Sequence, residues 1–188
     1  MNFVQYEFPL FLAVVFALYW SLRERTWQNG LLVIGSAVFY GWVHPWFLTL
    51  LYFSAVLDYS MGRLMAKYPD HKNYFVILSL TGNLTVLGFF KYFNFFIENV
   101  VAAAGAIGLQ THLGTLDILL PVGVSFYTFQ TMSYTIDIYR RQLDPTESLL
   151  DFSIYVAFFP QLVAGPIERA RRLLPQIETL ATAKTDHT

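Results

Sequence analysis

Long uncharged apolar stretches separated by short basic connectors dominate this chain. Asp, Glu, Lys and Arg are absent from 31–57, 74–90, 118–136 and 152–167, and 8–22 is equally apolar. Roughly 20 apolar helical residues cross a hydrocarbon layer about 30 Å thick, so such runs predict membrane-spanning helices. The run 31–57 is too long for one ordinary span, and His44-Pro45 lies near its middle. Proline removes a backbone donor and disfavours helix in the residue before it. Two readings compete: a single kinked helix, or two short helices turning at His44-Pro45. Lys- and Arg-rich short loops stay cytoplasmic, and only the second reading puts Arg23 and Arg25 on the same side as Arg63, Lys67 and Lys72. It also leaves 98–117, which has no Lys or Arg, outside, and returns the chain to Arg140-Arg141 inside. The expected spans are 8–22, 31–43, 46–60, 74–97 and 118–139; the two helices near 14 residues need local accommodation by the bilayer.

The last apolar stretch breaks this alternation. It starts after Arg140-Arg141 and ends at Glu168-Arg169-Ala170-Arg171-Arg172, which is basic again, and Pro160, Gly165 and Pro166 interrupt it. The reading is a re-entrant or broken segment over 149–166 followed by a cytoplasmic tail over 168–188. Irregular backbone at membrane depth survives only where protein or trapped water satisfies its polar groups, so this segment is expected to line a cavity. The fold class is therefore all-α, a polytopic transmembrane helix bundle with broken or re-entrant helices.

Composition sharpens the picture. The 188 residues are 55% hydrophobic and only 13% charged, about half the charge of an average soluble domain. The net charge of −1 gives no global electrostatic case for nucleic acid. With no cysteine, disulfides, thiolate metal sites and thiol nucleophiles are excluded. The first segment lacks a basic start and a small-residue cleavage site, so it reads as a retained helix. No internal repeat, phosphate-binding glycine loop or heptad pattern is present.

The stretch 121–139 is the most informative for chemistry. At 100° per residue, Ser125, Thr128, Met132, Thr135 and Tyr139 share one arc, while Gln130, Tyr134 and Asp137 take the opposite side. A lipid-facing helix would show one purely apolar face; this one offers helix–helix hydrogen bonds, the wall of a channel, or both. Glu7, Asp58, Lys91 and Asp137 are the ionisable residues near apolar runs. Asp58 and Asp137 fall near inner boundaries with Arg63 and Arg140-Arg141 close in sequence, so interfacial anchoring or an ion pair is expected for both, and Lys91 can snorkel. His44, His71, His112 and His187 fall in expected turns, loops or the tail and have no metal-ligand spacing, so no metal site is expected.

Two stretches carry a resemblance. Leu120-Pro121-Val122-Gly123-Val124-Ser125-Phe126-Tyr127-Thr128-Phe129-Gln130, continuing through Ser133-Tyr134-Thr135-Ile136-Asp137-Ile138-Tyr139-Arg140, is one. Phe158-Phe159-Pro160-Gln161-Leu162-Val163-Ala164-Gly165-Pro166-Ile167-Glu168-Arg169 is the other. Both resemble the membrane-bound O-acyltransferase family, in its bacterial alginate O-acetylation branch, as do Phe39-Tyr40-Gly41-Trp42 and Lys91-Tyr92-Phe93-Asn94-Phe95-Phe96. The resemblance implies a multi-helix enzyme that moves an acyl group, expected to be acetyl, from a cytoplasmic donor such as acetyl-CoA across the membrane. The acceptor would be a hydroxyl of an exported polysaccharide or a relay protein, with periplasmic acetyltransferases as partners beside the lipid bilayer, and no bound cofactor. Ser125, Thr128, Gln130, Tyr134, Asp137, Pro160, Gln161, Gly165, Pro166, Glu168 and Arg169 become the candidate channel-lining residues. Family members are longer and carry their catalytic histidine in a later membrane segment. No residue here inherits that role: the histidine is expected beyond residue 188, and this chain alone is expected to be inactive. A polytopic transporter, or a scaffold docking a partner through Arg169–Arg172, remains the alternative.

Overall fold

The computed structural model describes residues 7–42, 45–106, 123–165 and 168–179. Among these the chain is all-helical, with no strand. The helices are α1 (Glu7–Ser21), α2 (Arg25–Gly41), α3 (Phe47–Lys67), α4 (Lys72–Ala106), α5 (Val124–Tyr139), α6 (Leu149–Ala157), α7 (Phe159–Ala164) and α8 (Ala170–Thr179), with a 3-10 turn at Pro69–His71 between α3 and α4.

Two separate helices occupy the long apolar run, ending at Gly41 and restarting at Phe47; His44 lies outside the described residues. A Cβ at Gly41 would come within 2.8 Å of Leu48 Cδ1, so a larger residue at this turn would have to displace the Leu48 side chain. Both helices extend beyond the expected 31–43 and 46–60, into polar residues on the loop side. α4, expected over 74–97, is also longer. It is the one helix among the described residues long and apolar enough to cross a membrane, and most of that stretch is exposed.

α3, α4 and α5 pack together, and α6 lies against α2 and α3. The main core runs through Leu51, Tyr127, Tyr134, Phe152, Tyr155 and Leu174, each 2% exposed or less. Gly62 sets the α3–α5 spacing: a Cβ there would meet Ile138 Cδ1 and Tyr134 Cε1 at 2.9 Å. A smaller aromatic cluster of Phe8, Phe11, Phe39 and Phe159 joins α1, α2 and α7. α8 falls inside the stretch read as a cytoplasmic tail, yet it folds onto α5 and α6 and buries Ala170 and Leu174. Its outward side carries Arg171 and Arg172, so it is amphipathic. Residues 181–188 of that tail lie outside the described residues.

The outer surface of the bundle is apolar. Leu10, Phe16, Trp20, Trp27, Ile34, Ile77 and Phe96 each expose 60% or more of their surface, spread over α1, α2 and α4. A set of polar side chains, Asp58, Ser79, Asn83, Thr128 and Thr135 among them, is buried inside.

Candidate functional site: the two polar seams of α5

α5 begins at Gly123, whose φ of 83° is the left-handed region that glycine enters freely. It stops in a Schellman motif: Gln142 N–H donates to Asp137 C=O at 2.9 Å and Arg141 N–H to Ile138 C=O at 2.9 Å. Between these ends the helix carries polar side chains on two sides, and each side meets different partners.

The first seam faces α3 and α4. Asp58 is fully buried. Its Oδ1 accepts from Ser79 Oγ at 2.5 Å, and Asn83 Nδ2 donates to both carboxylate oxygens at 2.9 Å. Asn83 Nδ2 also donates to Ser79 C=O at 3.0 Å, which fixes the amide's orientation. Thr135 Oγ1 stands 3.0 Å from both Ser79 Oγ and Met132 C=O. Thr128, Thr131 and Thr135, all fully buried, share this face of α5. The ion pair expected for Asp58 is corrected here. Arg63 pairs instead with Glu147, at 3.4 Å, and the carboxylate is held by neutral donors of α4. Asp137 is buried too and takes part in neither ion pair among the described residues.

The second seam faces α6. Gln130 Nε2 donates to Tyr155 C=O at 2.6 Å, and Tyr155 Oη donates to Gln130 C=O at 3.0 Å. Tyr155 Oη also reaches Glu168 C=O at 3.3 Å, and Thr146 N–H donates to Tyr134 Oη at 3.2 Å. The break between α6 and α7 explains this arrangement. In an unbroken helix Phe159 N–H would donate to Tyr155 C=O. Phe158 instead takes an extended ψ of 110° just ahead of Pro160, and that bond is lost. Phe159 N–H donates to Ser36 Oγ of α2 at 3.3 Å, while Tyr155 C=O goes to Gln130. Both ends of the missing bond are therefore satisfied by neighbouring helices, as buried backbone requires.

Several buried oxygens remain without a protein partner: Ser54 Oγ, Thr128 Oγ1, Asn83 Oδ1, Tyr127 Oη and Asp137 Oδ2. Orphaned polar atoms at this depth are the usual seats of internal water or of a bound polar group.

The candidate residues separate accordingly. Gln130 and the Glu168 carbonyl meet at the Tyr155 hydroxyl. Thr128, Tyr134 and Asp137 are buried on α5, and Ser125 is half-buried at its start. Pro160 and Gln161 are half-buried on α7. A Cβ at Gly165 would approach Gln161 Cα to 2.7 Å, so the turn after α7 accepts only glycine. Arg169 is exposed, and Pro166 lies outside the described residues. Sequence reasoning missed Ser79, Asn83 and Tyr155. A Ser-x-x-x-Asn pair one helical turn apart in an apolar run was the available signal for the first two. It also missed Asp151, which accepts from Arg25 at 2.7 Å and Asn29 at 2.6 Å. Arg25 and Asn29 border a cavity of about 210 Å³ between α2, α6 and α8. His71, the histidine among the described residues, is exposed in the 3-10 turn.

Comparison with known proteins places these features in a lineage. No family model matches the chain, and no solved structure matches it. The probable alginate O-acetylase AlgI of Pseudomonas aeruginosa is 41% identical over 170 residues, covering 89% of this chain and 32% of the relative. The probable alginate O-acetylase AlgI of Azotobacter vinelandii is 38% identical over 89% of this chain and 34% of its own length. A peptidoglycan O-acetyltransferase of Helicobacter pylori is 32% identical over 78% of this chain and 32% of its own length. The chain thus spans about a third of the length of the curated relatives it matches. Both seams of α5 and the α6–α7 break thus lie in a chain that matches proteins named as alginate O-acetylases and a peptidoglycan O-acetyltransferase over most of its length, as the resemblance to the alginate O-acetylation branch implied.

Proposed function

We propose that this chain forms part of an O-acetyltransferase of the bacterial inner membrane, crossing the bilayer several times. In this reading it helps carry an acetyl group from a cytoplasmic donor such as acetyl-CoA to hydroxyls of an exported polysaccharide or to a relay protein. The observation that carries the proposal is similarity along nearly the whole chain to proteins named for acetylating two different polysaccharides. The outward apolar belt and inward polar seams support the membrane setting, because charged and amide groups within a bilayer are tolerated when they face one another inside a bundle.

The residues of α5 to α7 then act as wall and orienting groups. Thr128 Oγ1 and Asp137 Oδ2 offer unused acceptors, suited to holding water or a hydroxyl. Gln130 and Tyr155 keep the α6–α7 break at a fixed place beside them. Deprotonating an acceptor hydroxyl needs a base within hydrogen-bond reach. His71 is exposed and set apart from both seams, so the base is proposed to come from outside this chain's described residues.

The test is acetyl transfer from radiolabelled acetyl-CoA in membranes of a strain deleted for the complete gene. Complementation by the complete gene should restore polysaccharide acetylation, whereas the 188-residue chain alone should not. In the complete protein, Asp137→Asn should lower acetylation about tenfold or more, the scale of a lost acid–base or orienting contact, at unchanged protein level. Full acetylation by Asp137→Asn would remove Asp137 from the transfer path. Absence of acetylation dependence on the complete gene would overturn the function.

A further inference from the structure

Two cavities flank Tyr139 where α5 ends, and they differ in character. One, of about 290 Å³, is bordered by Lys72 and Arg141. The other, of about 390 Å³, is an open groove between α4 and α5 lined by Val76, Ile77, Leu80 and Ile136, with Arg140 at its end. Tyr139 belongs to the walls of both, so cationic and apolar surfaces adjoin across one ring. Lys72 Nζ sits over that ring, 4.8 Å from its centroid. Asp144 borders the cationic cavity, but none of Lys72, Arg140 and Arg141 enters either ion pair among the described residues. Three cations thus gather at the end of an apolar groove with one carboxylate nearby.

Arg141 adds a second observation. It occupies the left-handed position of the Schellman motif with a φ of 60°, where glycine is the usual residue because a side chain costs energy there. A bulky cation at a glycine position is strain without structural benefit, and strain of this kind gathers at ligand clamps.

We propose that this site binds an anionic phospholipid, its phosphate held by Lys72, Arg140 and Arg141 and one acyl chain lying along Val76, Ile77, Leu80 and Ile136. The occupant follows from the division of the surface. A soluble phosphate would use the cations and leave the groove bare, and a zwitterionic lipid would use the groove without net charge complementarity. The inference rests on the reading that the chain lies in a bilayer. The basic end of the site is on the proposed cytoplasmic side, where anionic lipids attract Lys and Arg.

The experiment is a melting-temperature titration of the chain in detergent with phosphatidylglycerol, phosphatidylcholine or inorganic phosphate. Phosphatidylglycerol should raise the melting temperature in a saturable way, and the other two should not. Lys72→Gln with Arg141→Gln should weaken the apparent affinity about 25-fold, roughly fivefold for each cation at an anionic surface. Arg141→Gly guards against misfolding. It should melt no lower than the parent without lipid, yet bind phosphatidylglycerol about fivefold more weakly. An equal response to phosphatidylcholine, reproduction of the shift by phosphate, or parental affinity in either variant would overturn the proposal. Alkaline carbonate washing of the membranes separates the two failures. A chain that resists extraction but ignores phosphatidylglycerol loses only the lipid site, and a chain that washes off loses the bilayer reading as well.

Discussion

Asp58 shows why single residues were hard to read. Its sequence neighbours suggested Arg63 as partner, but Arg63 is about 1.4 turns further along α3 and exposed, while the donors that matter lie on α4. Nothing local in a one-dimensional pattern says which face of α3 meets which face of α4. The structure makes the energetics concrete. A buried carboxylate without a cation depends on every hydrogen bond it accepts, and hydrogen bonds to charged groups contribute about 1.5–3 kcal/mol each. Asn83→Leu removes the donor that reaches both oxygens and should destabilise the chain by about 3 kcal/mol or more, read as a fall in melting temperature in detergent. Asn83→Asp, which places a second carboxylate beside the first, should be worse still. Parental stability in Asn83→Leu would mean that the Ser79 hydroxyl alone suffices.

At the scale of elements, much was legible. Proline and glycine punctuate backbone locally, so the turn near His44-Pro45 and the interruption at Pro160 showed in the sequence. The polar residues on both sides of α5 were visible as well, and the structure gives each side a partner: α3 and α4 on one, α6 on the other. What periodicity could not supply was where the broken helix sends its unpaired groups, because Ser36 and Gln130 are distant in sequence from Phe159 and Tyr155 respectively. Ser36→Ala and Gln130→Leu each strand one end of the same lost bond. Each should cost about 1–2 kcal/mol, the desolvation penalty of one orphaned backbone group, measured by denaturant unfolding in mixed micelles. The docking of α8 was hard to foresee for a related reason. Its basic outward side dominated the composition of the stretch, while the few residues that dock it, Ala170 and Leu174, are sparse.

For the whole molecule, the apolar runs foreshadowed the broad apolar surface, and the resemblance pointed to the same relatives that the comparison found. The order in which helices pack was not available from either, since all five long helices are similarly apolar. The proposed topology can be checked directly because the sequence contains no cysteine. Single replacements at the exposed Lys67 and Arg141 should react with a membrane-impermeant maleimide from the same side of sealed vesicles, and one at the exposed Glu98 from the other side. Labelling of Lys67→Cys and Arg141→Cys from opposite sides would contradict the paired crossing of α4 and α5. The Asp58 seam also bears on how such a bundle is made. Ser79 and Asn83 sit on the very next helix to leave the ribosome, so the α3–α4 hairpin brings its own escort for the carboxylate. A nascent chain can hand that hairpin to lipid as a finished unit before α5 has been synthesised.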